Sequence, residues 1–334
     1  MRATLKKRVL FLGLPAAAAL AGLVFAGRAE AATINKTVCV RNVTKTLSGT
    51  NVNFWGFTEG CMGMGAGLVP GPVVEMGEGD TLNLTLNVMM APEEAAPYNG
   101  HTIHLHGLDV PQAEDGVPET GASVSGDTYT FTAKPGWAGS YIYHCHVHTV
   151  KHLEMGMYAS LIIRPKDANG NFLKQITSTA ATAYDYVQNY LISTVDPGYH
   201  TATGDSTVFA DYNPLYFLIE GKEGKSKTAP AVTLAAATGK KVALRLIGLH
   251  SVNARFTLRD SNGSAKSFTI HTRDGRSLPA PETVSSVSIS PGQRYDILFT
   301  LPSTSGTWYP QVEFQDLWNG NTYTGGTVYG KITF

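Results

Sequence analysis

Seven of the ten histidines in this 334-residue chain fall in two short windows, and a cysteine lies inside one of them. The first window is HTIHLHGLD, from His101 to Asp109; the second is YHCHVHTVKHLEMGM, from Tyr143 to Met157. Side chains alternate faces along an extended strand, so His104 and His106 point one way. His144 and His146 likewise share a face, and Cys145 points to the opposite one. Two adjacent strands of this kind present four imidazoles to one surface. His101 is out of phase with His104 and His106, which puts it on the Cys145 side with His152 and a methionine from the loop after Cys145. A thiolate, two imidazoles and a thioether form the donor set of a blue type 1 copper, with the methionine as weak axial ligand. The imidazole-only surface suits a second copper site, whose shell water or substrate can complete. Cys145, flanked covalently by His144 and His146, is the electron path between the two.

A solitary histidine in a β-sandwich is ordinarily a surface residue or a hydrogen-bonded core residue. Seven at phased positions around a cysteine are not explained that way. Zinc also takes Cys and His ligands; the methionine at the right offset and the export signal described below favour copper. The three cysteines are an odd number. The simplest pairing joins Cys39 to Cys61 as a structural disulfide and leaves Cys145 as a free thiolate.

The elements that position these residues read as short strands. Residues 81–88, Thr-Leu-Asn-Leu-Thr-Leu-Asn-Val, alternate polar and apolar at period two, as a strand with one buried face should. Residues 128–133, 139–144 and 157–163 are similar, with Gly79-Asp80, Pro135-Gly136 and Asn169-Gly170 punctuating the strands as turns. A second set follows at 241–247, 255–259, 267–272, 284–289, 295–301 and 326–334. Sustained amphipathic helix periodicity is missing. Evenly spaced strands in two blocks predict an all-β chain of two tandem sandwiches, at 32–166 and 180–334, joined by a linker at 167–179.

The first 31 residues read as a signal peptide: basic Lys6-Lys7-Arg8, an apolar run over residues 9–27, then Ala29-Glu30-Ala31 as a small-x-small cleavage site. The mature chain is expected to start near Ala32, with an uncleaved anchor as the alternative. No later segment is apolar enough to cross a membrane. The whole chain has no net charge, and without the leader it holds 21 basic and 25 acidic residues, net −4. Such a body is no partner for phosphate backbones, which excludes nucleic-acid binding, or for anionic lipid. Export places it in the periplasm or outside the cell, where disulfides persist.

His104-Leu105-His106-Gly107, Asp115-Gly116-Val117-Pro118 and Tyr143-His144-Cys145-His146 resemble the first-domain motifs of multicopper oxidases and the related two-domain copper nitrite reductases. His144-Cys145-His146 followed by His152-Leu153-Glu154-Met155-Gly156-Met157 resembles the family's copper-ligand loop, with a slightly longer gap before His152. By its His-x4-Met spacing Met157 is the axial ligand, with Met155 as runner-up. Leu218-Ile219-Glu220-Gly221-Lys222, Arg273-Asp274-Gly275 and Pro291-Gly292-Gln293-Arg294-Tyr295 resemble segments of the family's second domains. The resemblance implies cupredoxin-like Greek-key sandwiches. It also implies a type 1 copper on His101, Cys145, His152 and Met157, and a second copper site on His104, His106, His144 and His146.

The pattern departs from the family in its second block. Family oxidases reduce dioxygen at a trinuclear cluster held by eight histidines from two facing domains, whereas this second block has only His200, His250 and His271, none in an H-x-H pair. It resembles a copper-free middle domain, without a blue copper of its own. The resemblance therefore implies a homo-oligomer, a trimer or an assembly built on symmetric dimers, that completes the site at a subunit interface. Electrons would come from a redox partner or small reducing substrate. In the nitrite reductases His101 and His106 correspond to the blue- and catalytic-copper ligands of the His-x4-His pair, but the proton-handling acid is replaced here by His104. His250 is the candidate for their third ligand, and His271 is read as structural. Met62 and Met64 are read as loop packing, and Asp109, Glu114, Asp115 and Glu154 as loop carboxylates with proton donation as the alternative; His148 has no counterpart. The expected function is an exported copper oxidoreductase; the alternatives are a nitrite-reductase-like enzyme and a non-catalytic copper-binding or electron-transfer protein.

Overall fold

The structure, a computed structural model, describes residues 31–61, 67–88, 100–120, 127–201 and 212–334. The expected signal peptide and most of its cleavage site, with Met62 and Met64, lie outside the described residues. Among the described residues no helix is long and apolar enough to cross a membrane.

The all-β expectation holds. The first half is built from β1 (Thr33–Leu47), β2 (Thr50–Glu59), β3 (Val74–Gly77), β4 (Thr81–Asn87), β5 (His104–His106), β6 (Thr128–Thr132), β7 (Gly139–His144) and β8 (Tyr158–Arg164), with helix α1 (Thr149–Glu154) between the last two. They form two four-stranded sheets, in the orders β2-β1-β4-β6 and β3-β8-β7-β5. β4 shows why: Leu82, Leu84 and Leu86 are fully buried against the facing sheet. Their outward neighbours make a polar ladder, Thr81 to Thr132 and Thr85 to Thr128. A disulfide joins Cys39 to Cys61 across a Cα separation of 5.6 Å and leaves Cys145 free and buried.

The second half contains β9 (Tyr186–Val195), helix α2 (Pro197–Thr201), β10 (Tyr216–Ile219), β11 (Val232–Ala235), β12 (Lys241–Leu249), β13 (Asn253–Asp260), β14 (Ala265–Lys266), β15 (Phe268–Arg273), β16 (Arg276–Val284), β17 (Ser286–Ile289), β18 (Arg294–Thr300), β19 (Thr307–Gln315) and β20 (Thr322–Thr333). One sheet runs β10-β9-β12-β18-β15-β16 and the other β11-β20-β19-β13-β14, with β17 also paired to β13. β16 carries Pro279 and Pro281 and sits at the sheet edge, where a missing N–H breaks no ladder. The strand expected at 284–289 is in fact the end of β16 and the whole of β17, separated at Ser285.

β7 is the element that matters for the site. All six of its residues are buried, because it has a core on each face. Tyr141 and Tyr143 point into the first-half core, and Cys145 follows in phase. Ile142 points the other way, into an apolar cluster shared with Leu191, Leu218 and Ile247 of the second half. Ser140, on that same face, donates to Asp296 Oδ1 (2.5 Å), which also accepts from Arg245 Nη1 (3.0 Å), while Thr272 Oγ1 donates to Asp296 Oδ2 (2.5 Å). Asp296 and Arg245 are both buried, so each needs this network to offset its desolvation. His144 continues the Ser140–Ile142 face, which directs its imidazole toward the second half.

Candidate metal centre

Strand alternation at the end of β7 sorts the donors into two groups. On the first-half core side, His101, Cys145 and His152 bring a ring nitrogen, a sulfur and a ring nitrogen within 4.8 Å of one another, all buried. His152 Nδ1 lies 3.0 Å from Cys145 Sγ and His101 Nδ1 lies 3.7 Å from it. The indole of Trp55 meets both imidazoles edge-on, at 5.2 and 6.4 Å between centroids. Met157 is fully buried in the same apolar cluster as Cys145, and its carbonyl accepts the Cys145 N–H at 3.1 Å. Met155 is buried outside that cluster and its carbonyl accepts from Trp55 N–H. Burial works against a charged Cys145, but the hydrogen bonds and charges of His101 and His152 outweigh it and hold the thiol at about 5. A soft thiolate beside two imidazoles is a donor set that fits copper.

On the face toward the second half, β5 pairs with β7 so that His104 lies opposite His144. Ring nitrogens of His104, His106 and His144 lie within 4.8 Å of one another, and the His146 ring is 5.0 Å from that of His104. Three of these rings are held by their Nδ1. His104 Nδ1 donates to the Asp115 carbonyl (2.7 Å) and lies 3.3 Å from its carboxylate; His144 Nδ1 donates to the Cys145 carbonyl (2.8 Å). Thr149 Oγ1 donates to the His146 carbonyl (2.9 Å), which leaves its lone pair to accept from His146 Nδ1 (3.1 Å). Locking Nδ1–H fixes the tautomer and leaves Nε2 as the free lone pair, the arrangement metal-ligating histidines adopt. Gly116 makes the Asp115 contact possible: its φ is +67°, and a Cβ there would lie 1.9 Å from the Ile103 carbonyl oxygen.

A cleft of about 470 Å³ opens over these imidazoles, its far wall formed by second-half segments 248–251 and 291–292. His250 belongs to that wall but not to the imidazole group: its Nδ1 donates to the Val252 carbonyl (2.7 Å) and its ring packs edge-on against Phe314 of the second-half core. His271 is half-buried on β15. His200 donates from Nδ1 to the Asn53 carbonyl (2.6 Å), with Nε2 3.4 Å from Glu154. His148 takes a left-handed conformation at the start of α1, its ring 6.1 Å from that of His152.

The carboxylates divide. Asp109 is exposed and pairs with Arg276 (2.8 Å), and Glu114 accepts the Thr130 N–H. Glu154 is not an exposed loop residue: it is buried on α1, accepts from Asp196 N–H and Tyr212 Oη, and lines the cleft. Sequence spacing missed this cluster because its partners come from the second half, dozens of residues away.

Burial holds His144 at about 3 and, with the charge of Arg294 as the next cause, holds His106 at about 4. Both are neutral and ready for a metal at pH 7. In the metal-free protein these depressed values make the unfolded state bind more protons between about pH 4 and the ordinary histidine value of about 6.5. Stability is therefore full above that value and falls with pH through the window. Thermal unfolding of the metal-free protein should move to lower temperature from pH 7 to pH 4, and a His144→Gln variant should flatten that slope.

Two multicopper oxidase family models match residues 46–168 and 196–331, together more than half of the chain. Laccase-3 of Botryotinia fuckeliana is 31% identical over 264 residues, covering 74% of this chain and 51% of the laccase. Copper resistance protein A of Escherichia coli is 33% identical over 126 residues, covering 36% of this chain and 19% of that protein. The chain thus spans about half or less of the length of these curated relatives. Among solved structures, the blue copper oxidase from Nitrosomonas europaea superposes with a TM-score of 0.68 at 24% identity, covering 90% of this chain and 85% of that one, and shows the shared cupredoxin fold. With a copper-type donor set on each face of one strand end and family matches over both halves, the chain belongs to the multicopper oxidase family.

Proposed function

We propose that the protein is an exported copper oxidoreductase, working in the periplasm or outside the cell. In this reading electrons from a redox partner or small reducing substrate enter at His101, Cys145, His152 and Met157. Cys145 would link that site to the group of His104, His106, His144 and His146, which would hold the copper that serves a small oxidant such as dioxygen or an oxyanion. Copper held at these sites would supply one-electron chemistry and a position for the oxidant.

The observation that carries the reading is the join between the two groups. Cys145 holds its sulfur in one group while its peptide neighbours His144 and His146 sit in the other. A hydrogen bond from His144 Nδ1 to the Cys145 carbonyl adds a second short connection. Ile142, Leu153 and Leu249 give the cleft apolar walls that limit water around the imidazoles. Its rim carries Val150, 46% exposed, in reach of another molecule.

One chain supplies four imidazoles to this surface. An isologous contact presents the same patch twice, so pairing of two subunits would assemble eight. Sedimentation velocity of the copper-loaded protein, run beside dioxygen uptake with an added reductant, tests this. Uptake by an oligomer that is lost on dilution to monomer is the expected result. A monomer with full turnover would remove the interface, and a blue protein with no turnover in any assembly state would favour pure electron transfer.

A further inference from the structure

We propose that Arg294, from the half that contributes none of the donors in either group, is the positioning residue that seats His106 in the all-histidine site. The inference rests on the reading of that site given above. His106 ends the three-residue strand β5. The other three imidazoles are each fixed through Nδ1 by an acceptor of the first half, whereas among the described residues no hydrogen bond holds the His106 ring, although its backbone pairs with Ile142 of β7. What holds it comes from across the domain boundary.

Arg294 is buried, at 3% exposure. Its Nε donates to the Ser140 carbonyl on β7 (3.3 Å) and its Nη1 to the Gly292 carbonyl (2.8 Å), with Asp274 Oδ1 3.4 Å from Nη1. The guanidinium is thus pinned to both halves at once. Its remaining nitrogen, Nη2, makes no hydrogen bond and lies against Gly107, the residue directly after His106. Gly107 has φ of +86°, and a Cβ there would be 2.1 Å from Nη2. The glycine of the H-x-H-G motif is therefore the space that Arg294 fills. Gly292, whose carbonyl fixes Nη1, also backs the imidazole: a Cβ on it would lie 3.4 Å from His106 Cε1 and Nε2. One turn of the second half supports both the arginine and the ring, and the backbone that carries the ring packs on the arginine.

Cu2+ alone, titrated into the metal-free full chain, tests this with two separate readouts: the visible band of the type 1 site and the electron paramagnetic resonance signal of the histidine site. Arg294→Ala should weaken copper binding at the histidine site by about 10–100-fold, the usual effect of removing a residue that orients a ligand, and leave the visible band unchanged. Arg294→Lys, which keeps the charge and loses the planar fork, should fall between the two. Gly107→Ala should weaken the same site, and the Gly107→Ala/Arg294→Ala pair should cost less than the two changes added, because the alanine meets the arginine it was clashing with only in the single variant. Wild-type affinity and an unchanged resonance signal in Arg294→Ala would overturn the proposal, as would equal loss of both coppers, which marks a general folding role. His106→Ala separates the two claims: if it too leaves the histidine-site signal intact, the reading of the site itself fails.

Discussion

Replacing Cys145 by serine should abolish the intense visible absorption of the copper-loaded protein and stop reductant-driven turnover. The band requires a thiolate bound to copper, and Cys145 is the one free cysteine in the chain, since Cys39 and Cys61 are bonded to each other. Serine keeps the size and loses the soft donor, so the fold around Trp55, His101 and His152 should persist while the site turns colourless. Circular dichroism on the same sample checks the fold, and absorption checks the site. A blue Cys145→Ser protein would mean that the thiolate assignment is wrong. The same change should leave copper at the four-histidine group, because that group faces the other side of β7.

His106→Ala should produce the complementary result: a blue protein that does not turn over. His106 contributes to the histidine group and lies outside the thiolate group. Removing a direct ligand should cost more than the 10–100-fold that loss of an orienting partner typically does, so copper at that site should fall away at ordinary concentrations. Steady-state turnover should drop by roughly a hundredfold or more, with the visible band within error of the parent. Turnover at the parent rate would show that the oxidant is reduced elsewhere. Loss of the visible band together with turnover would show that the two groups are not separable, against the geometry in which β7 divides them.

The division of the donors into two groups is largely legible in the sequence because strand period two is rigid. Once residues 139–144 are taken as a strand, His144 and Cys145 must face opposite ways, and the structure puts them in the two groups expected. β4 was equally plain, since all its apolar residues face one core. β1 and β2 carry no clear strand signal in the sequence, and their packing explains it. Val38 and Val40 of β1 face the first-half core, whereas Val43 and Leu47 belong to the cluster between the halves; Phe57 and Phe54 divide β2 in the same manner. A strand that serves two cores shows no single alternation. The supporting contacts were out of reach for a different reason. Ser140 and Asp296 meet across 156 residues, and Arg294 and Ser140 across 154, so no local spacing announces them. Glu154 looks like a loop carboxylate in the sequence because nothing near it reveals that Tyr212 and the Asp196 amide satisfy it.

Two distinct copper sites at one strand end should show in copper per chain, measured together with the electron paramagnetic resonance spectrum and the solution mass. Two or more coppers per chain are expected, one with the narrow hyperfine pattern of a thiolate site and the rest in a histidine environment, the latter in full amount only in the assembled oligomer. One copper per chain with a type 1 signal alone, in any assembly state, would contradict it.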